Sequence, residues 1–148
     1  MSRSLSLRAP NACMPLQDVI SCGQLQPGDL QAAQEAGVQT IVCVLQPYEI
    51  PPGQIDETQR LGMQHVHIPF GGPQDLTPEN AQALATVLND PSKLPAIVHC
   101  MSGNRVGALL AVKSAWVDGL GADEALAIGV NAGLRGLEFE VRRLLTSP

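Results

Sequence analysis

Residues 95–107, PAIVHCMSGNRVG, join a short apolar run to a loop and then to an apolar helix. The run 95–99 has the profile of a buried strand, and residues 105–117 have that of a helix. The loop between them, Cys100 to Asn104, contains a glycine at position 103. Because a helix that starts directly after a strand begins with unpaired backbone N–H groups, this stretch predicts an anion-binding site.

Around this stretch, strands alternate with helices along most of the chain. Predicted strands lie at residues 16–25 (one or two short strands), 38–45, 65–70 and 95–99. Predicted helices lie at residues 27–36, 54–61, 77–88, 105–117, 122–131 and 137–145. The order predicts an α/β fold with a mainly parallel sheet of four to five strands, helices on both faces and a helical C-terminal third. Ligands of such sheets bind beyond the carboxyl ends of the strands, where the Cys100 loop falls.

Length and composition indicate an ordinary globular domain. The chain has 148 residues, of which 45% are hydrophobic and 16% charged, and this suits one domain with its own core. We predict a flexible tail over residues 1–10 and a single catalytic domain over residues 11–148. The net charge of −5 argues against nucleic acid or an anionic membrane surface as the main partner.

Cysteine usage and the N-terminus both favour the cytoplasm. The four cysteines are widely spaced and form no CxxC pair: Cys13, Cys22, Cys43 and Cys100. Free thiols of this kind are typical of a reducing compartment. Residues 1–10 lack an apolar stretch of signal-peptide length, and no run approaches the ~20 apolar residues of a membrane span.

The loop residues combine a nucleophile with groups that bind oxyanions. Gly103 allows the backbone to curl so that its N–H groups converge, and the guanidinium of Arg105 suits a tetrahedral oxyanion. Cys100 at the start of the loop would then have a lowered pKa and act as a thiolate. Taken alone, a cysteine at a strand end is more often a structural core residue. The joint pattern His-Cys-x-x-Gly-x-Arg favours the anion site.

This segment resembles the active-site loop of the cysteine-dependent protein phosphatases, which have the fold of the dual-specificity and tyrosine phosphatases. Nearly the whole chain takes part in the resemblance through SCGQL (21–25), Asp29-Leu30, GVQTIV (37–42) and Ile68-Pro69. The nearest match is the small bacterial family of phosphatase-like domains found also in the beta-lactamase-hydrolase-like proteins.

The resemblance implies a role for each loop residue. Cys100 would take a phosphoryl group as nucleophile, and Arg105 would bind it and stabilise the transition state. His99 would help to orient and activate the thiolate. The phosphate oxygens would be held by the backbone N–H groups of Met101, Ser102, Gly103, Asn104 and Arg105. The implied partner is a phosphorylated small molecule or phosphoprotein, and the oligomeric state is left open.

Two departures from the phosphatase pattern keep rival functions open. Four residues separate Cys100 from Arg105, whereas phosphatases of this fold usually have five. The shorter loop matches that of the rhodanese sulfurtransferases, whose cysteine carries a persulfide. The Ser or Thr that commonly follows the arginine is replaced by Val106. The alternatives are therefore a sulfurtransferase using a Cys100 persulfide and a non-catalytic phosphate- or sulfate-binding module.

A phosphatase of this kind also needs an acid that protonates the leaving oxygen. The family usually supplies an aspartate from the loop after the Ile-Pro strand, and here Asp75 is the best candidate and Glu79 the second. A solvated turn residue is the alternative interpretation of Asp75. Tyr48 and Glu49, in a proline-rich loop, could line the mouth of the site.

The remaining histidines and cysteines suggest structural roles. His65 and His67 share one face of a predicted strand, a spacing that could bind a metal. Since no nearby side chain obviously completes such a site, a pair at a strand edge is favoured, and we expect neither a metal nor a cofactor. Cys22 and Cys43 could resolve an oxidised Cys100, but small core residues are the favoured interpretation.

Overall fold

The computed structural model describes residues 5–146 of the chain, which contain five strands and six α-helices. The strands are β1 (Cys13–Leu16), β2 (Val19–Cys22), β3 (Thr40–Cys43), β4 (Gln64–His67) and β5 (Ala96–His99). The helices are α1 (Asp29–Glu35), α2 (Gln54–Arg60), α3 (Pro78–Leu88), α4 (Asn104–Trp116), α5 (Ala122–Asn131) and α6 (Glu138–Thr146).

The strands form one sheet in the order β1-β2-β5-β3-β4, with β5 at its centre. All neighbouring strands are parallel except β1 and β2, which form an antiparallel pair. Every residue of β2, β3 and β5 is buried, as expected for parallel strands that are covered on both faces. His99 at the end of β5 is level with Cys22 on one side and Cys43 on the other. The carboxyl ends of these three strands therefore meet at one edge, and Cys100 follows directly from the middle strand.

Helices cover both faces of the sheet, since successive side chains of a strand point to opposite sides. On one face Ile41 and Ile97 pack with Leu30 and Ala33 of α1. On the other face Val42 and Val98 belong to the larger core cluster, which includes buried residues of α3, α4, α5 and α6. The predicted α/β fold, with its mainly parallel sheet and helical C-terminal third, is confirmed.

The strand boundaries differ from the predictions. The predicted strand 38–45 is shorter in the structure, where β3 spans Thr40–Cys43. The predicted strand 65–70 ends at His67, because Pro69 has no N–H group to donate to a neighbouring strand. The predicted segment 16–25 corresponds to β2, and β1 begins at Cys13, before that segment.

The N-terminal residues that the structure describes make specific contacts. Arg8 N donates to Asp29 Oδ1 at 2.7 Å, Ala9 is buried, and Pro10 O accepts from Gly23 N at 2.8 Å. The flexible tail over residues 1–10 stays a prediction, and its first four residues lie outside the described part of the chain. Among residues 5–146, no helix is long and apolar enough to cross a membrane.

Helix α4, which begins at the Cys100 loop, is the most deeply buried helix, and its residues 106–114 are all buried. It crosses α5 at close range because glycines face each other at the contact. A Cβ atom added at Gly107 would lie 2.5 Å from both Gly129 O and Leu134 N. The two glycines thus allow the backbones of α4 and α5 to touch, and this contact sets the position of α4 relative to the loop.

We expect Gly107→Ala to lower the free energy of unfolding by about 1–3 kcal/mol, because the added methyl group overpacks a backbone contact. Urea denaturation measures the change. Gly121→Ala is the matched control, since a Cβ atom there meets nothing within 4 Å and should alter the free energy by less than ~1 kcal/mol. Equal stability of the two variants would contradict the close crossing.

Candidate active site

Cys100 lies directly after β5 and is buried, with 1% of its surface exposed. Its backbone N donates to Cys22 O at 3.2 Å, which continues the pairing of β5 with β2. Its Sγ atom accepts a hydrogen bond from Gly103 N at 3.1 Å. Gly103 has φ 100°, a left-handed conformation that favours glycine. The loop therefore turns back so that a backbone N–H points at the sulfur.

Two contacts outside the loop fix the orientation of its peptide groups. Gln24 N donates to Met101 O at 3.1 Å, and Asn11 Nδ2 donates to Ser102 O at 2.8 Å. In a trans peptide the C=O and the following N–H point in opposite directions. Anchoring these two carbonyls on the N-terminal side therefore turns the N–H groups of Ser102 and Gly103 the other way, and for Gly103 that direction is toward Sγ.

Several loop amides remain available to an anion. Within residues 5–146 the amides of Met101 and Ser102 donate to no protein group. The amides of Asn104 and Arg105 belong to the first turn of α4, where helix geometry provides no intrahelical acceptor. Such a set of N–H groups at a helix N-terminus favours a bound oxyanion.

Arg105 is held by an ion pair that the sequence did not identify. Its Nη1 and Nη2 atoms donate to Glu49 Oε1 at 2.7 Å and Oε2 at 2.9 Å, and Nη1 also donates to Phe70 O at 3.1 Å. The Arg105 hydrogen bonds lower the pKa of Glu49 to about 2, and Glu49 in turn raises the pKa of Arg105. Nε and one Nη2 hydrogen are left for a second bidentate partner, which a phosphate or sulfate would match.

Glu49 reaches Arg105 from a short 3-10 turn, Pro47–Glu49, that follows β3. The turn is closed by its own acid, because Gln46 N donates to Glu49 Oε1 at 2.8 Å. The proline-rich sequence indicated that this loop could line the site. The sequence did not indicate that the acid pairs with Arg105, because the two residues are 56 positions apart.

His99, the residue before the nucleophile candidate, is buried and contacts a glutamine. Its Nε2 atom lies 2.9 Å from Gln54 Nε2, and the same amide nitrogen lies 3.3 Å from His65 Nε2. Burial lowers the pKa of His99 to about 4 and also lowers the pKa of His65. Both imidazoles are therefore neutral near pH 7.

The structure places the two candidate acids in different elements. Asp75 lies in a 3-10 turn, and its Oδ2 accepts from Gly71 N at 2.7 Å. Gly71 follows Phe70, whose carbonyl contacts Arg105, so Asp75 belongs to the loop that borders the guanidinium. Glu79 is exposed in the first turn of α3.

Two side chains near the loop have structural contacts. Asn104 Oδ1 accepts from Arg135 N at 2.8 Å and from Leu137 N at 3.3 Å, which ties the start of α4 to the segment before α6. Val106 is fully buried in the core, so the position that commonly holds a hydroxyl contributes packing here.

The other histidines and cysteines have partners or lie in the core. His67 Nε2 donates to Leu45 O at 2.7 Å, and no group of three potential metal ligands occurs within residues 5–146. Cys22 and Cys43 are fully buried. Burial raises the pKa of Cys43 to about 11 and raises that of Cys22 as well, so both are thiols at neutral pH.

No protein-family model matches the chain, and no curated protein matches its sequence. Solved structures do match. Tk-PTP in its active form superposes with a TM-score of 0.71 at 20% identity, covering 92% of this chain and 96% of Tk-PTP. The core catalytic domain of the PP-IP phosphatase Siw14 from S. cerevisiae has a TM-score of 0.68 at 14% identity, covering 95% of this chain and 88% of that domain.

A further match is the kinase-associated phosphatase with a substituted catalytic cysteine. Its TM-score is 0.67 at 15% identity, and the alignment covers 96% of this chain and 94% of that protein. In all three matches the shared architecture spans nearly the whole of both chains. This protein therefore has the fold of the cysteine-dependent phosphatases.

Proposed function

We propose that this protein is a phosphatase-like hydrolase that acts on phosphomonoesters through a phosphocysteine intermediate at Cys100. One observation carries the proposal: the Gly103 amide points at Cys100 Sγ, and Arg105 lies in the first turn of α4, which begins directly after Gly103. A nucleophile, converging amides and a guanidinium within six residues are the groups that phosphoryl transfer requires. The fold shared with phosphatases supports the same interpretation.

In the proposed reaction, the Cys100 thiolate attacks phosphorus and the bond to the leaving oxygen breaks. The N–H groups of the loop and the free edge of Arg105 bind the three equatorial oxygens, whose charge they stabilise in the transition state. Asp75 donates a proton to the leaving oxygen. Water then attacks the phosphocysteine, gives up a proton to Asp75, and releases inorganic phosphate and the thiolate.

Glu49 is assigned a positioning role in this scheme. Its carboxylate holds both Nη atoms of Arg105 in one plane, so the remaining edge is already oriented when the anion arrives. Fixing the guanidinium in advance reduces the entropy that is lost on binding.

A sulfurtransferase is the second candidate, and the four-residue spacing between Cys100 and Arg105 favours it. A smaller ring of amides encloses a smaller group, such as the terminal sulfur of a persulfide. The third candidate, a module that binds phosphate or sulfate without turnover, is favoured by Val106 in place of a hydroxyl.

Activity assays on two kinds of substrate separate these candidates. We expect the purified protein to release phosphate from an activated aryl phosphate, and Cys100→Ser to abolish this release because the hydroxyl is a much weaker nucleophile. Cys13→Ser is the matched control, since Cys13 is half-buried on β1 outside the loop, and it should retain activity.

The same proteins are tested with thiosulfate and cyanide. Thiocyanate formation without phosphate release would replace the phosphatase by the sulfurtransferase. Inactivity in both assays together with calorimetric binding of phosphate would establish the binding module.

The role of Asp75 as the acid can be tested by removing its proton. Asp75→Asn keeps an oxygen for the Gly71 amide but has no proton to donate, so kcat for an alkyl phosphate should fall by about 100-fold. The leaving group of an activated aryl phosphate needs little protonation, so kcat for that substrate should change by less than about threefold. Glu79→Gln is the comparison variant, and a reversed pattern would assign the acid to Glu79.

The ion pair between Glu49 and Arg105 can be tested by neutralising the acid. Glu49→Gln should lower kcat/KM by about tenfold, because a charge-assisted hydrogen bond to Arg105 is lost. The pKa of Glu49 is depressed to about 2, so the contribution of the pair is present above the ordinary carboxyl pKa and is lost only as pH falls toward 2. The loss in the variant should therefore be constant between about pH 5 and pH 8. Steady-state kinetics measures the change, and Glu124→Gln, which alters an exposed acid on α5, is the control. Equal kcat/KM for the two variants would contradict the positioning role of Glu49.

A further inference from the structure

Gln54 is a buried polar residue whose location needs a physical reason. It is the first residue of α2 and only 6% exposed, although glutamine side chains are usually exposed. Burying an amide costs free energy unless it is hydrogen-bonded. Its side-chain amide nitrogen contacts imidazoles of two different strands, His65 on β4 and His99 on β5. A hydrogen bond from Gln54 also lowers the pKa of Cys43, in opposition to the larger effect of burial.

The chemistry of these contacts restricts the protonation of both rings. The amide nitrogen is a donor with two hydrogens and has no lone pair to offer. It lies 2.9 Å from Nε2 of His99 and 3.3 Å from Nε2 of His65. When the amide nitrogen donates to both rings, each Nε2 accepts, and the hydrogen of each neutral ring lies on Nδ1.

We propose that Gln54 is a positioning residue for Cys100: its amide holds His99 as a neutral imidazole with the hydrogen on Nδ1, and the second amide hydrogen is fixed by His65. The inference rests on the proposed nucleophilic role of Cys100. It adds a residue that neither the loop pattern nor the phosphatase resemblance assigned.

The His99 ring transmits this restraint to the loop through its contact with the Cys100 backbone. The ring is fully buried, and its Nδ1 atom has no hydrogen-bond partner within residues 5–146. The Cys100 backbone nevertheless raises the pKa of the ring, in opposition to the larger effect of burial. The ring therefore lies against the peptide that carries the nucleophile, and rotation of the ring would displace that peptide.

The other titratable groups around His99 leave the neutral ring undisturbed. Cys22 on β2 and Cys43 on β3 flank it in the sheet, and burial keeps both as thiols. His65 lies beyond Gln54 and slightly lowers the pKa of His99.

The first test uses the unmodified protein and no substrate. Long-range ¹H–¹⁵N correlation spectra distinguish the two neutral tautomers of each histidine. We expect His99 and His65 to carry hydrogen on Nδ1 at pH 7. Hydrogen on Nε2 of His99 would overturn the proposal, because the amide would then have to accept instead of donate.

The second test removes the donor while it keeps the side-chain length. Gln54 borders a cavity of about 170 Å³, so Gln54→Met has room and should fold, as circular dichroism can verify. We expect kcat to fall by about tenfold with KM changed less than about twofold, because the nucleophile is misplaced while Arg105 is unaffected. Gln59→Met, at an exposed position of the same helix, is the matched control and should behave as wild type.

The third test gives a readout that a merely structural role would not move. Gln54→Glu places a carboxylate beside His99, which favours the charged ring and raises its pKa from about 4. Since a group with a raised pKa is protonated below that value, kcat of this variant relative to wild type should decline as pH falls from about 7 to about 5. Gln59→Glu should keep the wild-type profile. Identical profiles for both glutamate variants would overturn the proposal.

Failure of this inference and failure of the proposed function give different results. If no phosphate is released by the wild type, the phosphatase proposal fails, and the tautomer of His99 still decides the role of Gln54. The rate of Cys100 alkylation by iodoacetamide then replaces kcat as the measure. An unchanged tautomer and an unchanged alkylation rate in Gln54→Met would overturn the inference by itself.

Discussion

The site depends on the direction of two peptide groups in the loop after β5. Gln24 and Asn11 bind the carbonyls of Met101 and Ser102, and the trans peptide then aims the following N–H groups away from those anchors. One of them meets Cys100 Sγ. Without these anchors the loop amides would not be held on the side of the sulfur, and they could not bind the same anion as Arg105. The glycine at 103 permits the turn, but the tertiary contacts select it.

The arginine shows how charge is organised in a chain that is acidic overall. A guanidinium has two edges that each suit a bidentate acceptor. Glu49 occupies one of them, and the carbonyl of Phe70 adds a further restraint. The local site can therefore bind an anion although the net charge is −5, because the loop amides and the free edge of Arg105 act at short range. The acid that holds Arg105 is thus compatible with an oxyanion site.

Much of the fold could be predicted because the local signals agree with one another. Apolar β-branched runs at 38–45 and 95–99 correspond to β3 and β5, and the helix pattern of 105–117 corresponds to α4. Strand limits were harder to predict, since pairing partners decide where a ladder ends. Strand β4 illustrates this, because it ends at His67 although Ile68 and Phe70 are still buried.

The sequence by itself determined the α/β class, the place of the Cys100 loop at a strand-to-helix junction and the residue types gathered in it. Those features follow from short-range periodicity and spacing, which are visible in a single chain. Only the tertiary structure decided that Glu49 pairs with Arg105, that Gln54 joins His65 to His99, and that Gly107 meets Gly129. Such contacts join residues far apart in the chain, and their geometry depends on how the helices pack on the sheet, for which no local pattern carries a signal.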